Sequence, residues 1–598
     1  RSLDLGAGPL LRALLVDLTD GTQRLLLVVH HLVVDGVSWR ILFEDLHTLY
    51  GQLAMGQTTQ LPAKTGSVKS WAERLQAYAA SGEIESAVRY WAGLGTTSAS
   101  ELPCDHPGGS LSKAHADSVR THLDANLTRA LLQQAPAAYR TQVNDLLLTA
   151  LARVICQWSG QPSTWVELEG HGREALWADI DLTRTVGWFT SAFPACLSPA
   201  RSLPASIKSI KEQLRAIPNK GLDYGVLRHL GSPAQQQALA QLPTPRITFN
   251  YLGQFDGSFD DPAALFAPAR EPGGAEQGED APLGNWLSIN GQVYQGELTL
   301  DWTFSRDLYA PATVQRLADA LGRELAALVA HCLAAGEGGV TPSDFPLAGL
   351  DQAQLDRLPL RAAQIADLYP LSSMQQGMLF HARMAANTGD YINQLRVPVE
   401  GLDAERLRAA WQATVDAHDS LRSQFHWQAD FAAPLQLVVR EVSVPFACAD
   451  QRSVADQPQA VEQLAKQVRE AGFALDHAPL LRLDLARTGE QQYQMIFTSH
   501  HILMDGWSNS RLLGDVLETY NGLEPAPRRG RYRDYIAWLQ AQPGEPLEAF
   551  WRQKLQALEG PTLLADHLAP RPDANGVGHQ ALYLNWDRDA TQHLREQA

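Results

Sequence analysis

The chain has 598 residues, of which 45% are hydrophobic and 19% are charged, and its formal net charge is −17. This length predicts two or more domains, and the composition is that of a folded protein and not of a disordered one. The acidic excess would repel a phosphate backbone, and no local lysine or arginine run offsets it, so nucleic acid is excluded as a partner.

The cysteines and the apolar segments indicate the cellular compartment of the protein. The five cysteines stand singly, without the spacing of a zinc site or a disulfide framework. No apolar run approaches the roughly 20 residues that cross a bilayer, and the first residues do not resemble a signal peptide. We therefore expect a soluble protein of the reducing cytoplasm, with no membrane association, whose ends look cut from a longer chain.

Two stretches of the sequence recur at one fixed distance. The sequence PLLR at 9–12 returns at 479–482, and HHLVVDG at 30–36 returns as HHILMDG at 500–506. Both pairs are 470 positions apart. Because separated motifs share one offset, we expect a duplicated domain.

The elements of the first copy follow in chain order. A β-prone run at 25–29 ends at the paired histidines, and Ser38 is the predicted N-cap of the helix that follows. Residues 256–284 are rich in Gly, Pro, Asp and Glu and predict a long surface loop inside the first domain. Strand patterning resumes at 287–293.

The region between the copies has the composition of a domain boundary. Residues 336–346 are rich in Gly and Pro, and residues 347–365 form a helix-prone connector. The second copy then repeats the local pattern, with a β-prone run at 493–497 and Ser508 in the place of Ser38. Each copy therefore predicts a strand, a histidine-bearing loop and a helix.

The paired histidines point to a site and not to a metal centre. Neighbouring side chains of an extended segment face opposite ways, so one histidine of each pair should face a cavity and the other should be structural. A zinc site would need ligands on one face and further ligands that are not evident. Recurrence with an aspartate four residues after the second histidine favours a functional loop over two packed core histidines.

The motif HHxxxDG resembles the signature of chloramphenicol-acetyltransferase-like acyltransferases. In the first copy, five motifs follow one another: HHLVVDGVSW at 30–39, EGHGRE at 169–174, RTVGWF at 184–189, PNKGLDYG at 218–225 and FNYLGQ at 249–254. This ordered series resembles the motif series of epimerization domains from nonribosomal peptide synthetases.

The second copy carries three motifs in order: YPLSSMQQGMLFH at 369–381, HDSLRSQF at 418–425 and HHILMDGWS at 500–508. They resemble the opening motifs of a condensation domain. The string MQQGMLFH resembles the subclass that joins a D-configured donor to an L-configured acceptor. That subclass is expected directly after an epimerization domain, so the two resemblances support each other.

The resemblance implies an α/β fold, with two-lobed chloramphenicol-acetyltransferase-like domains in tandem, each incomplete. The implied boundaries are the remainder of an epimerization N-lobe at 1–110, its C-lobe at 111–345, a linker at 346–365, a condensation N-lobe at 366–565 and the start of its C-lobe at 566–598.

The resemblance also implies the chemistry. Epimerization removes the Cα proton of a thioester and returns a proton to the opposite face, which suits two acid–base groups. The family motifs assign these roles to Glu169 and His31. A partly apolar tunnel would raise the pKa of Glu169 and make it a better base. In condensation, His501 would act as a base or would position the attacking amine.

Further residues are implied to support these groups. His30, His500, Asp35 and Asp505 are expected to be structural. The resemblance suggests Arg422 as the buried ion-pair partner of Asp505, and we expect the partner of Asp35 in a segment before the chain. Two residues in other family motifs, Tyr224 and Asn250, are candidates for substrate contact.

No intrinsic cofactor or metal is expected. The substrate would be an aminoacyl or peptidyl thioester that arrives on the 4′-phosphopantetheine arm of upstream and downstream peptidyl carrier domains. Two other hypotheses remain open. The chain could hold two tandem condensation domains, although EGHGRE, Trp188-Phe189 and FNYLGQ are atypical of that arrangement. It could also be a catalytically silent docking module.

Overall fold

A computed structural model describes residues 3–94, 101–254, 265–267, 269, 271, 273–274, 278, 280–384, 391–524, 530–558, 560 and 584–597. The chain divides into two compact units. The first unit comprises Arg1–Asp344 and Asp351–Ala363, and the second comprises Phe345–Leu350 and Gln364–Ala598. Both units combine helices with sheets, so the predicted α/β class is confirmed.

The first unit begins with a hairpin and continues into alternating strands and helices. Its strands are β1 (Leu11–Asp17), β2 (Gln23–Val29), β3 (Ala116–Leu123), β4 (Thr164–Gly170), β5 (Ser191–Leu197), β6 (Ile247–Gln254), β7 (Leu287–Tyr294) and β8 (Glu297–Ser305). Its helices are α1 (Gly36–Ala54), α2 (Val68–Ala79), α3 (Glu85–Leu94), α4 (Ala125–Gln133), α5 (Ala135–Tyr139), α6 (Val143–Ser159), α7 (Leu203–Arg215), α8 (Leu222–Leu230), α9 (Pro233–Ala240), α10 (Pro311–Leu333) and α11 (Gln352–Leu355).

A six-stranded mixed sheet forms the centre of the first unit. The strand order is β3-β8-β7-β6-β4-β5, with β6 parallel to both of its neighbours and the outer pairs antiparallel. Strand β8 alternates, and the buried members of its pattern include Trp302 and Phe304. Helices α6 and α10 pack on this core through apolar residues. The parallel pairing of β4 and β6 brings the EGHGRE and FNYLGQ motifs side by side.

The second unit carries two smaller sheets. Its strands are β9 (Ile365–Pro370), β10 (Ile392–Glu400), β11 (Ser423–His426), β12 (Leu435–Val439), β13 (Phe446–Asp450), β14 (Leu481–Arg487) and β15 (Gln492–His500). Its helices are α12 (Ser373–Met384), α13 (Ala404–Ala417), α14 (Gln457–Glu470), α15 (Gly506–Tyr520), α16 (Tyr532–Gln540), α17 (Gly544–Leu555) and α18 (Arg588–Gln597). The sheet orders are β10-β15-β14-β13 and β11-β12-β9.

The predicted duplication is present in the strand register. Leu11 lies opposite Val29 in the antiparallel pair of β1 and β2, and Leu481 lies opposite Ser499 in the pair of β14 and β15. The two registers coincide after the shift of 470 positions. In both copies the second strand leads into a single 3-10 turn and then a helix, as predicted.

The other expectations about local structure had mixed outcomes. The strand predicted at 287–293 is confirmed as β7. The loop predicted at 256–284 lies largely outside the described residues. The helix-prone connector contains one short helix, α11, and a 3-10 turn at Ala362–Gln364.

Candidate active site

Each histidine pair lies where a strand ends and a 3-10 turn begins. In the first copy, the Nδ1 atom of His30 accepts a hydrogen bond from the backbone N–H of Leu32 at 3.2 Å. In the second copy, the Nδ1 atom of His500 accepts from Ile502 at 3.1 Å. The first histidine of each pair is therefore held by its own loop, while the second one is oriented independently.

The two histidines of the second copy have unlike environments, as the strand alternation predicts. His500 is only 3% exposed, and burial, together with the charge of His501, lowers its pKa to about 4. His501 lies in the wall of a cavity of about 610 Å³. The Nδ1 atom of His501 is 3.0 Å from the amide nitrogen of Asn393 on β10. The cavity histidine is thus oriented by a neighbouring strand.

The helix after each turn begins at an aspartate and not at the predicted serine. Asp35 accepts from the backbone N–H of Ser38 at 2.8 Å, and Asp505 accepts from that of Ser508 at 2.8 Å. The N-cap prediction was wrong by three residues. The aspartate carboxylate is the acceptor that reaches the third free amide of the helix.

Asp35 also holds a buried ion pair with Arg173 of the EGHGRE motif. The two nitrogens Nη1 and Nη2 of Arg173 donate to the two carboxylate oxygens of Asp35 at 2.5 and 3.0 Å. The side chains are 3% and 6% exposed. Our expectation that the partner of Asp35 lies before the chain was wrong, because a loop that is distant in sequence supplies it.

Backbone geometry explains how this loop reaches the aspartate. Gly172 has a φ of +66°, and a Cβ atom there would lie 1.6 Å from the carbonyl oxygen of Phe189. Only glycine fits this close approach. The same contact brings the N–H of Phe189 to 3.1 Å from Asp35. The RTVGWF and EGHGRE loops therefore meet at the start of α1.

The electrostatics of Asp35 follow from these contacts. Burial alone would raise its pKa, but the hydrogen bonds from Arg173, Ser38 and the Phe189 backbone outweigh that effect and lower it. Asp35 is therefore ionised at neutral pH and serves as the junction of three loops.

The predicted ion pair between Arg422 and Asp505 is wrong. Arg422 donates to Asp419 at 2.7 Å, and to the carbonyl oxygens of Val439 and Arg440 at 2.7 and 2.8 Å. Asp505 is exposed, and it caps its helix. A guanidinium that is already bound by one carboxylate and two carbonyls has no need of the more distant aspartate.

Glu169 lies near the end of β4, where the strand leaves the sheet. Its Oε2 atom accepts a hydrogen bond from the side-chain amide of Asn250 on the neighbouring β6 at 2.8 Å. Desolvation by surrounding protein atoms raises the pKa of Glu169, the charge of Glu167 raises it further, and the charge of His31 opposes both. The side chain still reaches solvent. These properties suit a carboxylate that accepts a proton from a substrate.

His31 therefore lies within electrostatic range of Glu169, although 138 positions separate them in the sequence. The ring of His31 also packs against Trp188, with centroids 5.1 Å apart and the planes tilted by 52°. Trp188 is 49% exposed. The imidazole is therefore held against an aromatic wall and stays accessible.

The two candidate substrate contacts differ in their surroundings. Asn250 hydrogen-bonds Glu169 directly, which makes it part of the site. Tyr224, on α8, packs its ring on Trp91 at 5.1 Å, and burial raises its pKa. Tyr224 also feels the charge of Glu167, so it lies beside the same face of β4.

Sequence reasoning missed three residues of this site. Arg173 stood inside the EGHGRE motif but was not assigned to Asp35. Glu167 lies two residues before Glu169 on the same strand, and the alternation of strand side chains could have found it. Trp188 was used only as part of a motif. The contact of Trp188 with His31 is long-range and leaves no local signal in the sequence.

The described part of the chain has neither a cluster of metal ligands nor a membrane-spanning helix. There, no three His, Cys, Asp or Glu side chains converge on a position that could hold a metal ion. Among those same residues, no helix is both long enough and apolar enough to cross a membrane.

Comparison with known proteins identifies the family. The family model described as condensation domain matches residues 1–345 and again residues 365–598. The chain belongs to the condensation domain family. The two matches to the condensation domain model coincide with the two copies that the repeat revealed.

Two relatives cover nearly the whole chain. The chain is 42% identical to a linear gramicidin synthase protein from Brevibacillus parabrevis over 573 residues, which is 94% of the chain and 11% of that relative. It is 38% identical to the chondramide synthase cmdD from Chondromyces crocatus over 640 aligned residues, which is 97% of the chain and 16% of that synthase. The chain therefore spans less than a fifth of the length of these relatives.

A solved structure matches the fold. The epimerization domain from the third module of tyrocidine synthetase B is 40% identical, with a TM-score of 0.52. The match covers 56% of this chain and 74% of that domain. The condensation domain fold found here is thus the chloramphenicol-acetyltransferase-like fold that the motifs implied.

Proposed function

We propose that the first unit is an epimerization domain of a nonribosomal peptide synthetase, and that the second is part of a condensation domain that takes a D-configured donor. The observation that carries this proposal is that Glu169, which accepts a hydrogen bond from Asn250 near the end of β4, lies within range of the charge of His31. The 40% identity to a solved epimerization domain supports it. The motif MQQGMLFH at 374–381 supports the assignment of the second unit.

In the proposed reaction, the Glu169 carboxylate takes the Cα proton of an L-configured aminoacyl or peptidyl thioester. The electron pair of the broken C–H bond moves into the thioester carbonyl and gives an enolate. The His31 imidazolium then donates a proton to the opposite face of Cα, and the D-configured thioester results. Proton exchange with the solvent returns both groups to their starting protonation states. In D₂O, deuterium from the solvent therefore enters the product at Cα.

The environment of Glu169 matches this task. A carboxylate with an ordinary pKa is a weak base near neutrality, and the raised pKa brings it closer to the working pH. Asn250 fixes one carboxylate oxygen by donating to Oε2, and Oε1 would then accept the Cα proton. Orientation of the base in this way lowers the cost of reaching the reacting geometry.

The second unit would form the peptide bond, with His501 at its centre. His501 lines a cavity of about 610 Å³, and His500 is buried. The substrates of both units would arrive on the phosphopantetheine arms of upstream and downstream peptidyl carrier domains. No cofactor of its own is needed for either reaction.

The test uses the intact synthetase that contains this chain, with a carrier-bound L-peptidyl thioester in D₂O. Glu169→Gln and His31→Ala should each reduce deuterium entry at Cα to the background level, since each removes one of two acid–base groups. Glu297→Gln is the matched control, because it neutralises a half-buried carboxylate on β8 that pairs with His122, three strands from β4. Exchange at the wild-type rate in either site variant would contradict the proposal.

The two alternatives predict other products. Tandem condensation domains would form peptide bonds in both units and would leave Cα exchange absent from the wild type. A silent docking module would do neither. The hydrogen-bonded pair of Glu169 and Asn250 favours epimerization over both alternatives, because an oriented carboxylate with a raised pKa has a direct use in proton abstraction.

A further inference from the structure

A second carboxylate lies on the same face of β4 as Glu169. Side chains alternate along a strand, so Glu167 and Glu169 project to the same side. Opposite them, β6 runs parallel, with Thr248 paired to Glu167 and Phe249 paired to Leu168. Both carboxylates therefore lie beside β6, where their hydrogen-bond partners are neutral side chains.

A directed hydrogen-bond chain holds Glu167. The side-chain amide of Asn285 donates to the carbonyl of Pro245 at 3.2 Å and to the hydroxyl oxygen of Thr248 at 3.1 Å. The Thr248 hydroxyl therefore has its own proton available, and it donates to Oε2 of Glu167 at 3.0 Å. Asn285 is 8% exposed, so the chain is anchored in the interior. The hydrogen bond from Thr248 therefore holds the Glu167 carboxylate on this face of the sheet.

We propose that Glu167 is a positioning residue of the epimerization reaction, whose fixed negative charge beside Glu169 strengthens Glu169 as a base. The inference rests on the proposed function of Glu169. Glu167 does not contact the substrate in this proposal. Its charge acts through space on Glu169.

The charges around Glu169 support this role. Desolvation raises the pKa of Glu169 most, and Glu167 is the next cause in the same direction. His31 opposes both from the loop before α1. From β6 the neighbours Thr248 and Asn250 are neutral. From α8, Tyr224 lies near Glu167, and Arg228 beside Tyr224 is the positive charge on that side.

The size of the effect can be estimated from strand geometry. Residues two apart on a strand are separated by roughly 7 Å. Two unit charges at that distance, in a medium between protein surface and water, shift a titration by about 0.5 to 1.5 pH units. Glu169 must be ionised to accept a proton, so activity rises as the pH passes its pKa. Without the charge of Glu167, that rise should move to lower pH.

The experiment is the pH profile of Cα deuterium exchange in the intact synthetase, loaded with an L-peptidyl thioester. Glu167→Gln should shift the acidic limb down by about 0.5 to 1.5 pH units, while the maximal rate stays within about tenfold of wild type. Glu167→Asp keeps the charge and should restore the wild-type limb. The control Glu297→Gln should leave the profile unchanged. If Glu167→Gln does not fold, Glu167→Ser removes the same charge and should give the same shift.

The possible results distinguish failure of the role inferred for Glu167 from failure of the proposed epimerization function. An acidic limb that overlays the wild-type limb, in a charge-neutral variant that still exchanges, overturns the inference alone. Loss of exchange at every pH in a folded variant also overturns it, because Glu167 would then be part of the reacting machinery. A wild-type synthetase without any Cα exchange overturns both the inference and the proposed function.

Discussion

Replacement of Asp35 by alanine should destabilise the first unit while leaving the histidine loop of the second unit unaffected. The change removes the carboxylate that pairs with both terminal nitrogens of Arg173, and both side chains are buried. It also removes the N-cap of α1 and an acceptor for the Phe189 N–H. The guanidinium would stay in the interior without its counter-ion.

The magnitude follows from burial. Removing one member of a buried ion pair costs about 3–5 kcal/mol, because the other charge is left uncompensated. The carbonyl of Thr185 is 3.1 Å from Arg173 and remains as an acceptor, which favours the lower part of that range. Unfolding entropy for a unit of this size is about 0.7 kcal/mol/K, so the melting temperature should fall by about 4–7 °C.

Differential scanning calorimetry of wild type and Asp35→Ala measures this change. Asp505→Ala is the matched control in the second unit, where the equivalent aspartate only caps a helix. The lowered pKa of Asp35 sets a pH test as well. Its stabilisation is present above the unfolded pKa and is lost as the pH falls through the lower folded pKa. The difference in stability between wild type and Asp35→Asn should therefore shrink as the pH falls below about 4. An unchanged melting temperature at pH 7 would refute the reasoning.

The remaining predictions concern both units. Asn250→Ala removes the amide that orients Glu169, and it should slow Cα exchange by about tenfold or more without lowering the melting temperature, as stopped exchange assays and calorimetry can show. Because the buried neutral imidazole of His500 resists protonation, the wild type should lose stability as the pH falls from 6.5 to about 4. His500→Ala should lack this pH-dependent loss, and the free energy of unfolding measured across that pH range checks it. His501→Ala should stop peptide-bond formation with little change in melting temperature. An active His501→Ala beside a folded but inactive His500→Ala would show that His500 is the catalytic histidine and His501 the structural one. Asp505→Ala should cost the second unit only about 0.5–2 kcal/mol, the usual cost of losing a helix cap, as measured by urea unfolding.

The local pattern of the sequence was sufficient to predict the repeating element. A strand, paired histidines and a helix follow from the β-prone runs and the Asp-Gly turn, and the structure has them in both copies. The unlike surroundings of His500 and His501 also follow, because strand alternation is a property of the backbone itself. The serine assigned as N-cap was misplaced, since the aspartate and serine both have cap chemistry and only the backbone angles distinguish them.

The long-range pairs could not be derived from the sequence. Asp35 and Arg173 are 138 positions apart, and Arg173 reaches the aspartate only because Gly172 allows two loops to touch. Arg422 was matched with Asp505, whereas a carboxylate three residues away, Asp419, binds it in the structure. Motifs show which residue types the family keeps together, but ion-pair partners depend on how the sheets bring separate loops into contact.

The most direct test of the central claim is the stereochemical outcome at Cα in the wild-type synthetase. A carrier-bound L-peptidyl thioester is incubated in D₂O, released by hydrolysis, and separated by chiral chromatography with mass detection of each isomer. Under the proposed function, the product is a D-configured residue that carries one deuterium at Cα. Recovery of only the unlabelled L-isomer from a fully loaded carrier would contradict it.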